Sequence, residues 1–423
     1  MPQRQSIAFL DIHSKLLIMR ATLLCLLISF TIQLAVAAAP LPAPQYAAER
    51  PSLSDEDLSA KTEGNYWTGL PLVSADPDTG IGYGARVYHF ENGASTEETF
   101  GYEPYRSRTF LQAFATSKGW QYHQISFDAP FFEHRPQRIK ADFIFEQNTA
   151  ANFFVAGTST LEDAVNSGFN KYWIRRPIFS SSYEQLFFGS RLRIVGTALV
   201  SQVKIETTPS SQVALLCAQN ALHGCSGGMN STYKISASYD VRDFEPDPNS
   251  GFTLEGVAQG SSQSLGSELT YGRATLQARG FYSPLPSKAD LVLAGRLLWA
   301  TQSGNTPFYD QSVIALADED MNGLGGRRTL RGFKQNRFIG RTITLGNLEA
   351  RYTIPHQVSL GSHRFALQLV PFVDFGKTIE LSEMEKTTGA AVRIAWNQAT
   401  LIAIDYGQSR EGSGLYINFG HAF

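Results

Sequence analysis

The chain has 423 residues and a net charge of -2, with 17% charged and 12% aromatic residues. A nearly neutral chain gives no reason to expect a nucleic-acid partner. Low charge combined with many aromatic residues is typical of strands that alternate between lipid and a polar interior.

The first 37 residues have the pattern of a secretory signal peptide. Arg20 precedes the apolar run 21–30, and small alanines follow between 35 and 39. The run is shorter than the ~20 residues that a membrane-spanning helix needs, so we predict cleavage near residue 37 rather than a permanent anchor. Met19 is an alternative to Met1 as the start of translation.

Residues 38–65 are rich in proline, alanine, serine and acids, and they are too few for a domain. We predict a periplasmic linker there, followed by the main structural unit over residues 66–423. Within that unit, short segments alternate bulky apolar with small or polar residues, as in residues 415–423. The period is two, which favours β-strands over helices.

Alternation alone also suits a soluble β-sandwich, so size decides between the two. About 355 residues without a helical period are too many for one sandwich, whereas a closed membrane barrel of roughly 16 strands accommodates them. Closure also leaves no unpaired strand edge in lipid. We therefore predict an all-β, antiparallel transmembrane barrel.

In a closed barrel the first and last strands must pair, and that seam is a candidate functional site. Gly69 and Pro71 flank Leu70 in the first strand, and Gly420 lies near the end of the last. Proline removes a hydrogen-bond donor and glycine weakens a strand, so these residues predict a seam that opens. Pro71 as a simple strand boundary is the alternative.

Three cysteines are present, and Cys25 lies in the predicted signal peptide. Cys217 and Cys225 lie eight positions apart in a segment rich in glycine, serine and asparagine. In an oxidising compartment we expect this pair to form a disulfide. Two free thiols or a metal site are the alternatives.

A basic loop follows the acidic triplet 318–320. It has no acid between Met321 and Leu348, and it contains six basic residues: Arg327, Arg328, Arg331, Lys334, Arg337 and Arg341. Taken alone it suits a solvated loop or an anion-binding patch. The strands that follow it, however, carry Glu349, Asp374 and Asp405, and a charge facing lipid costs several kcal/mol.

Those carboxylates must face the lumen, where Arg331 on an inward-folded loop would satisfy them. We expect Gly332 to permit a tight turn at the loop tip and Phe333 to pack against the inner wall. Pairing of Glu349 with Arg351 on its own strand is the alternative. The terminal alternation of Ile417, Phe419 and Phe423 is interpreted as the signal by which the barrel is recognised for insertion.

Several short motifs occur in a fixed order in the last hundred residues: Leu330-Arg331-Gly332-Phe333, Leu348-Glu349-Ala350-Arg351-Tyr352, Phe372-Val373-Asp374-Phe375-Gly376, Ile404-Asp405-Tyr406-Gly407 and terminal Phe423. They resemble the barrel of the BamA/TamA superfamily, the bacterial surface antigen family. The resemblance is most specific over residues 325–423. It implies a Gram-negative outer-membrane location and contacts from Arg331 to Glu349 and Asp374.

The resemblance also implies insertion or translocation of a polypeptide or lipid at the outer membrane. Larger members carry periplasmic POTRA domains, for which residues 38–65 have no room. The chain therefore resembles a short, POTRA-less member whose role depends on outer-membrane lipid, a client polypeptide or a separate periplasmic partner. A plugged structural or passive-pore barrel, or a surface adhesin using the external loop around Cys217 and Cys225, are the competing functions.

No catalytic motif stands out. The Gly-x-Ser-x-Gly spacing occurs once, at residues 224–228, but in the glycine-rich segment around Cys225 and without the strand-to-helix context of a nucleophile elbow. The sequence has no histidine pair at metal-binding helical spacing and no phosphate-binding loop. We therefore predict no enzyme, cofactor or metal, with an outer-membrane phospholipase as the enzymatic alternative.

Overall fold

The computed structural model describes residues 61–97, 100, 103–157, 168–245, 247–285, 290–355, 358–360, 363–396 and 400–423. The predicted signal peptide and most of the predicted linker lie outside these residues. The first strand begins at Asn65, one residue before the predicted boundary.

The strands of the described chain are β1 (Asn65–Asp76), β2 (Gly80–Glu91), β3 (Ser107–Thr116), β4 (Trp120–Ala129), β5 (Gln137–Asn152), β6 (Lys171–Phe187), β7 (Leu192–Glu206), β8 (Gly228–Asp240), β9 (Gly251–Ser261), β10 (Tyr271–Tyr282), β11 (Leu291–Gly304), β12 (Val313–Ile314), β13 (Met321–Asn322), β14 (Thr342–Thr353), β15 (Val358–Leu360), β16 (His363–Thr378), β17 (Glu385–Trp396), β18 (Thr400–Ser409) and β19 (Gly412–Phe419). β12 and β13 pair only with each other, and β15 follows β14 along the same edge of β16. The other sixteen strands form one antiparallel sheet, closed by β1 against β19. The predicted all-β barrel of about sixteen strands is confirmed.

Strand β11 shows why these sequences form a barrel wall. Leu293, Leu297 and Trp299 are 45%, 62% and 40% exposed, whereas Arg296 and Leu298, on the opposite face, are each 2% exposed. Alternate side chains of a strand point to opposite faces. The apolar exposed row therefore faces lipid, and the buried row faces the lumen.

One short helix, α1 (Gln212–Ala218), lies between β7 and β8 and was not expected from the sequence. The Ser211 side chain caps it by accepting a hydrogen bond from Ala214 N at 3.3 Å, and Val213 is fully buried. Among the described residues, no helix combines the length and apolar character needed to cross a membrane.

The even number of strands places the start of β1 and the end of β19 at the same end of the barrel. We call this the terminal end and the opposite one the loop end. The segment between β11 and β14, residues 305–341, starts at the loop end and is called the long loop.

Candidate functional site

The long loop fills the barrel lumen. Its apolar side chains pack with lumen-facing side chains of β11 and β14 in one buried cluster: Ile314, Leu316, Met321, Leu324, Leu330, Phe333 and Phe338 from the loop, with Leu298, Ala300, Ile343 and Leu345 from the wall. Burying a large apolar side chain contributes about 1.5–3 kcal/mol. The loop is therefore a packed core element of the barrel.

Arg331 is the centre of the loop's polar contacts. Its Nε and Nη2 donate to the two carboxylate oxygens of Asp374 at 2.9 and 2.8 Å, and its backbone N donates to the same carboxylate at 3.2 Å. Its Nη1 donates to Glu349 at 2.9 Å and to Asp405 at 3.0 Å. The guanidinium carbon also lies 3.3 Å from the centre of the Phe372 ring. The structure thus brings Arg331 to Glu349, Asp374 and, in addition, Asp405.

Two arginines of the wall complete this charge cluster. Arg351 Nη2 lies 2.9 Å from Glu349 Oε2, and Arg393 Nη1 lies 3.0 Å from Asp405 Oδ1. With Arg331, Asp374 and these four residues, the cluster holds three guanidinium groups and three carboxylates, and every side chain is 0% exposed. Its net formal charge is therefore zero, which is the condition under which buried ions are tolerated.

Glu349 contacts both arginines that the sequence offered as partners, Arg331 and Arg351. Arg393 was not singled out from the sequence. The alternation along β17 could have identified it, because Arg393 lies two residues after buried Ala391 and therefore on the same inward face.

The residues after Arg331 hold the loop tip against β18 and β19. Gly332 has a φ of +105°, and a Cβ there would lie 2.9 Å from the carbonyl oxygen of Gly407. Gly332 N donates to the Tyr416 hydroxyl at 3.0 Å. Phe333 packs edge-on against Phe338 with ring centres 4.9 Å apart. Glycine is required at the tip both for its backbone angle and for this close approach.

The acidic part of the long loop contacts the opposite wall. Asp318 accepts from Arg193 Nη1 and Nη2 at 2.7 and 2.6 Å, and Asp320 accepts from Lys234 Nζ at 2.9 Å. Arg193 and Lys234 belong to β7 and β8. The charge step in the sequence therefore has matching partners in the lumen: Asp318 and Asp320 pair with basic side chains of β7 and β8, and Arg331 pairs with carboxylates of β14, β16 and β18.

The seam between β1 and β19 is weakly paired. β1 and β2 are in register over twelve residue pairs, from Asn65↔Glu91 to Asp76↔Gly80. Along the fully described strands β1 and β19, the register contains the single pair Ala75↔Ile417. A ladder this short leaves most backbone donors and acceptors of the β1 edge without a partner strand.

The predicted seam residues lie on the two sides of this gap. Gly69, Leu70 and Pro71 are within β1, opposite Val87, Arg86 and Ala85 of β2, and outside the one pair with β19. Gly420 follows the last residue of β19.

The long loop also bridges the seam at the loop end. Gln335 N donates to Asp78 Oδ2 at 2.6 Å in the turn after β1. Arg337 Nε and Nη2 donate to the two oxygens of Glu411, both at 2.7 Å, in the turn before β19. The Arg337 side chain is 0% exposed. Residues 335–337, which we call the tether, therefore hold together two strands that hardly pair with each other.

The remaining predicted residues are the two cysteines and the terminal apolar residues, of which Ile417 is itself half of the seam pair with Ala75. Cys217 and Cys225 form a disulfide with an S–S distance of 2.01 Å. Cys217 and α1 pack on a loop-end cluster that includes Phe308 and Tyr309 of the long loop. Ile417 and Phe419 are in β19, whereas Phe423 contacts lumen-facing side chains.

No metal-binding constellation is present in the described ranges, where no three histidine, cysteine, aspartate or glutamate side chains are grouped suitably for an ion. The charged cluster around Arg331 consists of ion pairs between arginines and carboxylates instead.

A closed sixteen-stranded barrel with an inward loop and a weak first-to-last seam defines a class of outer-membrane protein. The sequence profile of the Omp85 superfamily domain matches residues 113–423, and that of a domain of unknown function (DUF5982) matches residues 44–106. The chain belongs to the Omp85 superfamily and is an outer-membrane β-barrel protein. This confirms the resemblance seen in the sequence.

Solved structures agree on the fold. The barrel is similar to BamA from Haemophilus ducreyi lacking POTRA domains 1–3, with 12% identity, a TM-score of 0.55, and 85% of this chain and 70% of that chain covered. It is also similar to CdiB from Escherichia coli, with 10% identity, a TM-score of 0.54, and 86% and 68% covered. No curated protein matches the sequence significantly.

Proposed function

We propose that this barrel inserts or translocates a polypeptide or lipid at the outer membrane, using the β1–β19 seam as its site of action. The observation that carries the proposal is the single register pair, Ala75↔Ile417. An exposed strand edge in a membrane is a template for an incoming strand. The role is not catalytic, and it works with outer-membrane lipid and a client or a separate periplasmic partner.

The packing of the long loop favours the seam over the lumen as the route. The loop joins the barrel core through one apolar cluster and a neutral set of six buried charges. Removing it would break both, whereas opening the seam would break one ladder pair and the contacts of the tether. We therefore place client entry between β1 and β19, with the tether controlling how far the loop end separates.

Disulfide locking tests the role of the seam. Ala75→Cys with Ile417→Cys places two thiols at directly opposite residues of the seam, where a disulfide fits. The matched control is Val73→Cys with Tyr83→Cys, a register pair between β1 and β2 that closes no gap. A photocrosslinking probe at Leu70 in the first strand reports what enters the seam in cells, and a second probe in an external loop serves as its background control.

We expect a discrete protein adduct at Leu70 that disappears when the seam is oxidised shut and persists in the oxidised control, whereas lipid adducts alone would favour a stable plugged barrel. Adducts that survive the lock, or no adduct beyond that of the external probe, would contradict the proposal. In that case a plugged structural barrel is the better account. Single-channel conductance that rises after deletion of residues 305–341 would then identify a plugged pore.

The proposed function also requires export of the chain to the outer membrane. We propose that residues 1–37 are a signal peptide and that the barrel resides in a Gram-negative outer membrane with its terminal end in the periplasm. Intact mass of the membrane-extracted protein tests this, because cleavage near residue 37 predicts a chain that begins at about that position.

A further inference from the structure

Four neighbouring arginines of the lumen form a row that lacks carboxylate partners. Arg279 of β10 and Arg296 of β11 are directly opposite residues in the sheet register, and both lie on the inward faces of their strands. Arg296 Nη2 donates to the backbone oxygen of Arg328 in the long loop, and Arg327 precedes Arg328 in the chain. We call Arg279, Arg296, Arg328 and Arg327 the arginine row.

The pairing of the row differs from that of other arginines in the lumen. Arg193, for example, lies 2.6 Å from a carboxylate oxygen of Asp318. Among the described residues, no member of the row forms an ion pair, and the side chains of Arg327 and Arg328 form no hydrogen bond either. Arg327 Nη1 is nevertheless buried. The positive charges of the row are therefore not neutralised by the described part of the chain.

This arrangement is unfavourable unless an anion joins it. Like charges on directly opposite residues destabilise a sheet, as Arg279 and Arg296 must. A charge that is removed from water without a partner is also disfavoured. Burial and the neighbouring Arg328 lower the pKa of Arg327 to about 10 despite the nearby Asp405, because the charged form lacks compensation. An anion bound along the row would remove both penalties.

Three members of the row are accessible to a small ligand. Arg279, Arg327 and Arg328 are partly exposed. Arg296 is only 2% exposed, and its Nε and Nη2 donate to Asn347 Oδ1 at 3.0 and 2.7 Å. Arg296 is therefore a fixed charge behind the site, whereas the other three arginines offer free donors to a ligand.

Arg279 also lines a lumenal cavity of about 200 Å³. Its Nε donates to Thr253 Oγ1 at 2.9 Å, which leaves both Nη groups available. Glu255 lines the same cavity but forms no ion pair with Arg279, and its oxygens accept from Ala317 N at 3.3 Å and Ser238 Oγ at 3.4 Å. The other carboxylates of the cavity have arginine partners: Asp240 and Glu245 pair with Arg242, and Asp318 pairs with Arg193. The cavity is large enough for a small oxyanion and too small for a folded segment.

We infer that the arginine row is a binding site for a phosphate group, supplied either by free phosphate or by the headgroup of a lipid. Guanidinium groups bind phosphate through pairs of parallel hydrogen bonds, and a multiply charged anion suits several adjacent arginines. The inference goes beyond the proposed function, because the site lies in the lumen and requires neither an open seam nor a client.

Calorimetric titration of the full-length, folded barrel in neutral detergent tests the site. The two probes are inorganic phosphate and dihexanoyl phosphatidic acid, a short-chain lipid, both at constant ionic strength. The test variant is Arg327→Met with Arg328→Met. The matched control is Arg135→Met with Arg410→Met, which removes the same charge from two side chains that are each 50% exposed. We expect binding to be at least about tenfold weaker in the test variant and unchanged in the control.

The preferred probe identifies the source of the phosphate group. Tighter binding of the lipid would identify a headgroup site, and tighter binding of inorganic phosphate would identify a free-anion site. Either result supports the inference if the test variant loses it. Failure of both probes to bind the wild type, or equal binding by the wild type and the test variant, would overturn the inference.

Urea unfolding separates ligand binding from a structural role of the two loop arginines. In phosphate-free buffer the test variant should unfold at the same urea concentration as the wild type or at a higher one, because it loses uncompensated charges. Added phosphate should raise the midpoint of the wild type and leave that of the test variant unchanged. A test variant that is less stable than the wild type without phosphate, and equally responsive to it, would show that Arg327 and Arg328 are structural.

Discussion

Replacing Arg331 by methionine tests the neutral charge cluster. The native cluster contains three guanidinium groups and three carboxylates, all fully buried. Arg331→Met keeps much of the stem over the Phe372 ring but leaves three carboxylates facing two guanidinium groups. Removing one partner of a buried ion pair costs about 3–5 kcal/mol, and we expect a loss of unfolding free energy of that size.

A second change should restore much of that loss. Glu349→Gln alone leaves an excess positive charge and should also destabilise the barrel. Combined with Arg331→Met, it leaves Arg351 and Arg393 with Asp374 and Asp405, which is again neutral. We expect the double variant to be more stable than the sum of the single effects by about 1–3 kcal/mol, the usual coupling of residues in one network.

Urea unfolding of the refolded barrel in detergent measures these differences, with heat-dependent mobility on gels as a check that each variant has folded. Arg410→Met is the matched control, because Arg410 is 50% exposed in its ion pair with Glu385. An exposed pair contributes about 0–1 kcal/mol. A loss of unfolding free energy for Arg331→Met no larger than that for Arg410→Met, or simple additivity of the two single effects, would contradict a coupled charge cluster.

Three further predictions concern other parts of the molecule. Arg337→Met, which leaves Glu411 without its buried partner, should increase hydrogen exchange at the loop ends of β1 and β19 more than elsewhere; unchanged exchange there would contradict the tether. Burial and nearby Arg351 lower the pKa of His421 despite Asp247 and Glu349, so its folded form is favoured when neutral. The contact between His421 and Asp247 should therefore weaken as the pH falls through the ordinary histidine pKa of about 6.5 towards the lower folded value. Hydrogen exchange at residues 419–423, corrected for the intrinsic effect of pH, should be faster at pH 5.5 than at pH 7.5, and this dependence should be lost in His421→Gln; equal exchange would contradict it. Alkylation before reduction should leave the mass of the mature barrel unchanged if Cys217 and Cys225 are joined, whereas two labelled thiols would exclude the disulfide.

The barrel architecture was accessible from the sequence because its signals are local. Period-two alternation identifies strands, and a carboxylate such as Asp374 among lipid-facing apolar residues must turn inward. The partner of the acidic triplet was not accessible, since Asp318 meets Arg193 at a separation of 125 residues and only closure of the barrel brings them together. The sequence shows which residues are charged, but it does not show which basic residue of the wall lies opposite Asp318.

At two places the local sequence pattern did not predict the observed secondary structure. Alternation continues to Phe423, which predicts a strand up to the last residue, but the left-handed backbone at Gly420 ends β19 four residues earlier. Helix α1 is only seven residues long, so the cap at Ser211 was too small a signal within a loop. In both cases a tertiary contact, in the lumen or on the loop-end cluster, decides the conformation.

The matching of charges along the long loop has a consequence for anything that would replace it. With the loop removed, Arg193 and Lys234 on one wall would lose their loop carboxylates. The other wall would keep Glu349, Asp374 and Asp405 with only Arg351 and Arg393 as ion-pair partners, which leaves that cluster with one excess negative charge. A segment able to enter the emptied lumen would therefore have to present its acidic and basic residues in the same order as the loop does.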